Sequence, residues 1–176
     1  LIELARTRSL KGLLNVLRHT RDYNVLSKIK EDENGHVDYL SCEIKLRTFY
    51  YGWLSDTIKK DFSKSVADEL LSHILTQIDL INIINAYRMK KYYNLSGADI
   101  EKKLLPFYHK LNRKTREELF GNENAEDFLK VFSKTYYGKR IILEKDSNFE
   151  FEINKLRSKM ARNSLAFSQN AAVSVY

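Results

Sequence analysis

The residue types that most often do chemistry are thinly spread along this chain. His19, His36, His73 and His109 are isolated from one another in sequence, whereas a zinc hydrolase needs two histidines one helical turn apart with a glutamate beside them. His73, within a helical stretch, reads as an ordinary core or boundary residue. Six scattered glycines supply no glycine-rich turn with a lysine before a helix, and so no phosphate-cradling loop. No serine stands in a glycine-flanked elbow, which leaves a hydrolase triad without a nucleophile. Glu117-Glu118 falls in a helical first turn and complements a helix dipole rather than pairing as acid and base. Cys42 is the single cysteine, so neither an internal disulfide nor a cysteine-based metal site can form, and a reducing, cytoplasmic compartment fits. The expectation is a protein without catalytic, cofactor or metal sites that works by gripping other proteins.

Two constellations stand out against that background. The first runs from Gln77 to Lys90, where Asp79, Asn82, Asn85 and Arg88 recur at steps of three among isoleucines. On a helix each step of three lags by about 60°, so the four trace a slow spiral. Asp79 and Arg88 then face nearly opposite ways and cannot form one compact site. The structural expectation is that each polar group is satisfied by a neighbouring helix and fixes helix register.

The second constellation is charge. The chain carries a formal net charge of +7, concentrated between Arg88 and Arg116. There Arg88, Lys90, Lys91, Lys102, Lys103, Lys110, Arg113, Lys114 and Arg116 are opposed only by Asp99 and Glu101. Lys91, Lys102, Lys103, Lys110, Arg113, Lys114 and Arg116 form a candidate partner-facing patch suited to nucleic acid, an anionic membrane surface or an acidic protein. The plain alternative is a solvated, lysine-rich helix face. Tyr92-Tyr93 and Tyr136-Tyr137 lie beside Lys90, Lys91, Lys134 and Lys139, which raises single-stranded nucleic-acid binding by stacking. Tyrosines at helix ends more often lock one helix to another.

The elements that must position these groups read as helices almost throughout. A composition of 43% hydrophobic residues with a single proline in 176 provides a core and favours long helices over many short strands. Leu10, Leu13, Leu14 and Leu17 follow the three-four spacing of an amphipathic helix. Ala67, Leu70, Leu71, Ile74, Ile78 and Ile81 do the same from Ser65 towards Met89, a strut on the order of 35–40 Å long at about 1.5 Å per residue. A second long run covers roughly Val37 to Lys60, set off by Asn34-Gly35, and Gly97, Gly121 and Gly138 mark further breaks. A hairpin over Tyr39–Tyr51 fails for want of sustained alternation. Four pairs read as helix starts, Ser65/Asp68, Ser96/Asp99, Thr115/Glu118 and Asn124/Asp127. No apolar run approaches the roughly 18 residues that span a bilayer; the chain opens on Leu1 rather than methionine and shows no charged-then-apolar signal segment, so it reads as cut from a longer one.

A faint internal repeat organises these helices. Leu10–Leu26 resembles Ala125–Ile141 at an offset of 115, with Leu14, Val16 and Thr20 recurring as Leu129, Val131 and Thr135. Further on, Glu43-Ile44 and Leu46-Arg47 are echoed by Glu152-Ile153 and Leu156-Arg157, with one inserted residue. The expected units are 1–118 and a similar, truncated 119–176.

The Gln77–Lys90 stretch also resembles the signature of the rotary ATPase subunit called C in archaeal and bacterial A/V-type enzymes and d in eukaryotic V-type enzymes. That pattern has an acidic residue, then Asn-Ile, then an arginine and a further basic residue, matched here by Asp79, Asn82-Ile83, Arg88 and Lys90. Ile100–Leu105 with Pro106 and Leu119 is similar to the family's link between helical units. Phe128-Leu129 to Thr135-Tyr136-Tyr137 resembles its next helix and turn, and Glu152–Tyr176 the run into another signature. The resemblance implies an all-α fold of three similar helical units in a funnel, of which about one and a half would be present. It also implies a non-catalytic subunit between the central stalk and the membrane rotor ring of a proton- or sodium-translocating ATPase or ATP synthase. Such a subunit is peripheral to the membrane and binds no cofactor. A basic helical nucleic-acid-binding module is the alternative from a different class.

Overall fold

A computed structural model describes residues 6–7, 9–33, 35–144 and 147–167, with side chains as far as 163. Among these residues the fold is all-α: α1 (Leu10–Leu17), α2 (Arg21–Leu26), α3 (Tyr39–Asp61), α4 (Lys64–Tyr93), α5 (Gly97–Lys102), α6 (Arg113–Phe120), α7 (Ala125–Phe132) and α8 (Phe149–Phe167), with a 3-10 turn at Gly138–Arg140. One antiparallel bridge, Glu31 to Val37, is the only extended pairing among the described residues. It closes a turn in which Gly35 takes φ +76°, a conformation glycine enters without steric cost. Asn34, the other half of the expected break, lies outside the described residues, as do residues 168–176 of the run expected to lead into another signature.

The long helices form because nothing interrupts them. α4 runs 30 residues without glycine or proline. It stops at Asn94, whose φ of 47° is left-handed. The Asn94 and Leu95 amides then close back on the Lys90 and Met89 carbonyls at 3.2 and 3.3 Å, satisfying two of the last carbonyls at a left-handed helix end.

Two of the four expected starts are caps and two are not. Ser96 Oγ accepts from the Asp99 amide at 3.2 Å, and Asn124 Oδ1 from the Asp127 amide at 2.9 Å. Ser65 instead lies inside the first turn of α4, which Ser63 precedes. Thr115 lies inside α6, capped by Asn112 Oδ1 accepting from the Thr115 amide at 2.9 Å. At both sites the helix starts from a residue two or three positions further upstream, Ser63 without a side-chain cap bond and Asn112 with one.

By packing, the chain forms two compact units, Leu1–Leu54 and Ser55–Tyr176, divided within α3. The first contains α1, α2 and the start of α3, with Leu26 and Ile29 buried and the Arg21 guanidinium 5.4 Å over the Trp53 ring. In the second, Ile78, Leu80 and Ile83 of α4 are fully buried, and α4 packs against α7 and α8. The seam is aromatic: Tyr87 to Phe149 at 4.5 Å, Phe132 to Phe149 at 5.0 Å and Phe128 to Phe149 at 6.1 Å between centroids. Edge and tilted geometries of this kind add about 0.5–1.5 kcal/mol per pair beyond burial. The 118/119 boundary falls within α6, which packs against α7.

The repeat has counterparts in local hydrogen bonding. α1 and α7 start and stop at residues exactly 115 apart, and their caps correspond. Ser9 Oγ accepts from the Gly12 amide at 3.1 Å as Asn124 does from Asp127. Thr20 Oγ1 donates to the Leu17 carbonyl at 2.8 Å, and Thr135 Oγ1 to the Phe132 carbonyl at 2.7 Å. α3 and α8 likewise begin 110 residues apart, each capped from the preceding residue, Asp38 to the Ser41 amide at 3.1 Å and Asn148 to the Phe151 amide at 3.2 Å. In that register Lys45-Leu46-Arg47 falls on Lys155-Leu156-Arg157 without an insertion. The two helices also differ. α1 buries no residue, whereas Phe128 and Phe132 of α7 are fully covered by its neighbours.

Candidate functional site

Asp79 and Asn82 of α4 find partners in the 103–112 loop, Asp79 also at Tyr137, and Arg88 in α8. Asp79 is fully buried, and its carboxylate accepts from the Lys110 amide at 2.8 Å, the His109 amide at 3.1 Å and the Tyr137 hydroxyl at 2.7 Å. Burial raises the Asp79 pKa, while the Tyr137 hydroxyl and the two amides pull it down. The same buried setting, with Asp79 alongside, drives the Tyr137 phenol well above its ordinary value, so it stays a donor.

One turn on, Asn82 is fully buried and pairs both ways with one residue. Its Nδ2 donates to the Leu105 carbonyl at 2.9 Å and its Oδ1 accepts from the Leu105 amide at 3.0 Å. Leu105 precedes Pro106, which has no amide hydrogen, so this side chain supplies the pairing that a regular element would give the loop. The expected partners were helices. Asp79 and Asn82 are met instead largely by loop backbone, because residues 103–112 cross over α4 without forming a helix of their own.

Ile83 is fully buried in the core. Arg88, on the far side of the helix, donates Nε to Glu150 Oε2 of α8 at 2.9 Å and also pairs with it through its terminal nitrogen. Arg88 holds the Glu150 pKa below its ordinary value. Lys90 is 5% exposed and donates Nζ to the Leu95 carbonyl at 2.8 Å, pinning the chain just past the left-handed turn. Burial lowers its pKa.

The basic patch is partly neutralised from within. Lys102 pairs with Asp99 at 3.2 Å, Arg113 with Glu117 at 2.7 Å and Lys114 with Glu118 at 4.0 Å. The last two acids lie just past Arg116, so counting to Glu118 gives nine basic against four acidic side chains. Arg116 stacks its guanidinium 3.9 Å over the Tyr108 ring. Lys91 sits 5.5 Å over the Tyr87 ring and Lys110 5.6 Å over Tyr136. Lys103 is half-buried.

Sequence reasoning marked the break at Gly138 and the Thr135–Tyr137 turn but passed over Glu150 and Tyr137 as partners of the signature side chains. There Thr135 Oγ1 accepts from the Gly138 amide at 3.0 Å, and a Cβ at 138 would collide with the Phe132 carbonyl. The tyrosine pair was the available signal for the anchor, but pairing a distant tyrosine with Asp79 needs tertiary contact. Among the described residues no three His, Cys, Asp or Glu side chains converge as a metal site. No helix among them is long and apolar enough to cross a membrane. Chemically, the arrangement braces α4.

The family model for the ATP synthase (C/AC39) subunit matches residues 1–176. No curated protein and no solved structure matches the chain.

Proposed function

From its membership of the ATP synthase C/AC39 subunit family, a family of rotary V/A-type ATPase subunits, we propose that the chain is the non-catalytic adaptor between the central stalk and the membrane rotor ring. In this role it passes torque between ATP turnover in the soluble head and proton or sodium movement through the membrane. It is held peripherally, on the cytoplasmic side. Asp79, Asn82, Ile83, Arg88 and Lys90 serve as bracing residues, with partner contacts drawn from the basic side chains that lack internal counter-ions.

The observation that carries this reading is the three-way bolting of α4. Within ten residues it is tied to the 103–112 loop, to the Tyr137 turn and to α8. A torque-bearing part needs a helix that neither slides nor rolls. Charge-assisted buried bonds are worth about 1.5–3 kcal/mol each, and they sit on an aromatic seam that resists shear. The recurring caps at offsets of 115 and 110 support a family architecture of similar units, with repeats at 1–118 and 119–176.

The test is assembly and coupling. Full-length protein should be recovered with stalk and ring subunits from detergent-solubilised membranes. Removing it should leave ATP hydrolysis by the head while ion pumping is lost. Recovery of neither partner, or pumping that survives removal, would defeat the proposal.

A further inference from the structure

Three cations that form no ion pair among the described residues, Lys110 of the sequence patch and two outside it, line a pair of clefts. Two clefts of about 460 and 250 Å³ adjoin at Tyr136 and Met160. Lys110, Arg140 and Lys159 stand around them, each exposed, and none forms an ion pair among the described residues. No acidic side chain lines either cleft. Arg140 is not loose. Its guanidinium lies 3.5 Å over the Tyr136 ring and donates to the Tyr136 carbonyl at 2.5 Å, while Lys110 approaches the same ring. The walls include the apolar Leu156 and Met160.

We propose that this groove, formed by the 103–112 loop, the Tyr136–Arg140 turn and α8, is a docking site for a carboxylate-bearing segment of a partner protein. The site rests on the adaptor reading for which protein supplies that segment, but not for its chemistry. Three cations on three separate elements, spread around an aromatic floor and apolar wall, match acidic side chains spaced along a peptide with apolar ones between them. The apolar Leu156 and Met160 beside the cations give such a peptide contacts that a lone phosphate would not use. The Tyr136 ring meets Tyr137 edge-on at 5.2 Å, and Tyr137 holds Asp79. Docking therefore bears directly on the braced helix.

Full-length protein is titrated with a fluorescein-labelled peptide of about ten residues containing glutamates and leucines. A glutamine-for-glutamate version, phosphatidylserine vesicles and a single-stranded oligothymidylate serve as comparators. The glutamate peptide should bind best, and added salt should weaken it. The K110Q/R140Q/K159Q variant should lose about tenfold in affinity, in line with three partly exposed ion pairs. The K102Q/R113Q/K114Q variant, whose cations already have partners, should stay within about twofold. Equal losses in the two variants, indifference to glutamine, no binding by the wild type, or preference for vesicles or oligonucleotide would each overturn the groove. If the groove fails while wild-type protein still co-purifies with the ATPase, the adaptor reading stands, and loss of co-purification alone strikes only that reading.

Discussion

Tyr137→Phe is the sharpest probe of the brace, because it removes one atom from a fully buried ring and leaves no cavity. The lost bond is the hydroxyl donation to Asp79 at 2.7 Å, between two side chains that are each fully buried. A hydrogen bond to a buried charged acceptor contributes about 1.5–3 kcal/mol, so stability should fall by that amount at neutral pH. For a chain of this length the melting temperature should drop by roughly 3–12 °C.

The pH dependence gives a second handle. The folded Asp79 pKa is raised above its ordinary 3.8 by burial. A raised pKa contributes stability that is present below the unfolded value and lost as pH rises through the folded one. The phenol bond opposes that loss by favouring the ionised carboxylate, so deleting it should cost more at pH 7 than in acid. Urea titrations at several pH values would measure both effects, with Asp79→Asn as the partner in a double-mutant cycle. The expected coupling is about 1 kcal/mol or more at neutral pH. Additivity within about 0.5 kcal/mol, or a penalty that does not change with pH, would refute the reasoning.

Other variants test other parts of the fold. Asn82→Ala strands the Leu105 amide and carbonyl in a buried site and should cost about 2–4 kcal/mol by urea titration; a loss below 1 kcal/mol would mean water replaces the amide. Glu150→Gln removes a group whose folded pKa is depressed by Arg88. Its contribution is present above the ordinary glutamate value of 4.5 and lost as pH falls through the folded pKa, so the variant should have a flatter acid limb of stability. Ser96→Ala and Asn124→Ala should each cost about 1 kcal/mol, whereas Ser65→Ala should change stability by less than about 0.5 kcal/mol. Gly138→Ala should destabilise by more than about 2 kcal/mol, since the new methyl group meets the Phe132 carbonyl.

Legibility followed the range of the interactions. Helices were readable because periodicity and breakers are local: Tyr39–Asp61 and Lys64–Tyr93 lie within a few residues of the expected runs. Caps were read correctly at Ser96 and Asn124, although Asn94 and Asn122 offer a rival capping residue two positions upstream of each. They were misassigned where Ser63 and Asn112 stood just upstream. The charge patch was overcounted because Glu117 and Glu118 fell outside the chosen window, yet one helical turn carries their carboxylates back to Arg113 and Lys114. Partners of the signature side chains were not readable at all. Those of Asp79, Asn82 and Arg88 lie between 23 and 62 residues away, and three of them, at Leu105, His109 and Lys110, are backbone amides, which every sequence position offers equally.

The spacing of those side chains nevertheless explains the geometry it could not identify. Steps of three along α4 turn the polar positions through about 60° each, so Asp79 and Arg88 stand about half a turn apart. A single-sided row of polar groups would tie the helix to one neighbour and leave it free to lift or roll. The slow spiral instead presents Asp79 to the loop and the Tyr137 turn, Asn82 to Leu105 and Arg88 to Glu150. Rotating α4 about its axis to relieve one bond strains another on the opposite side, and sliding it by a residue breaks all of them together. Shifting the spiral should therefore cost more than deleting any one member. Inserting a single alanine after Ile84 would carry Arg88 about 100° around the helix while leaving Asp79 and Asn82 in place. It should lose the Glu150 pair and misalign the aromatic seam at Tyr87, a loss expected to exceed that of Arg88→Ala. Equal losses from the insertion and the point substitution would mean that the spiral is a set of independent contacts rather than a clamp.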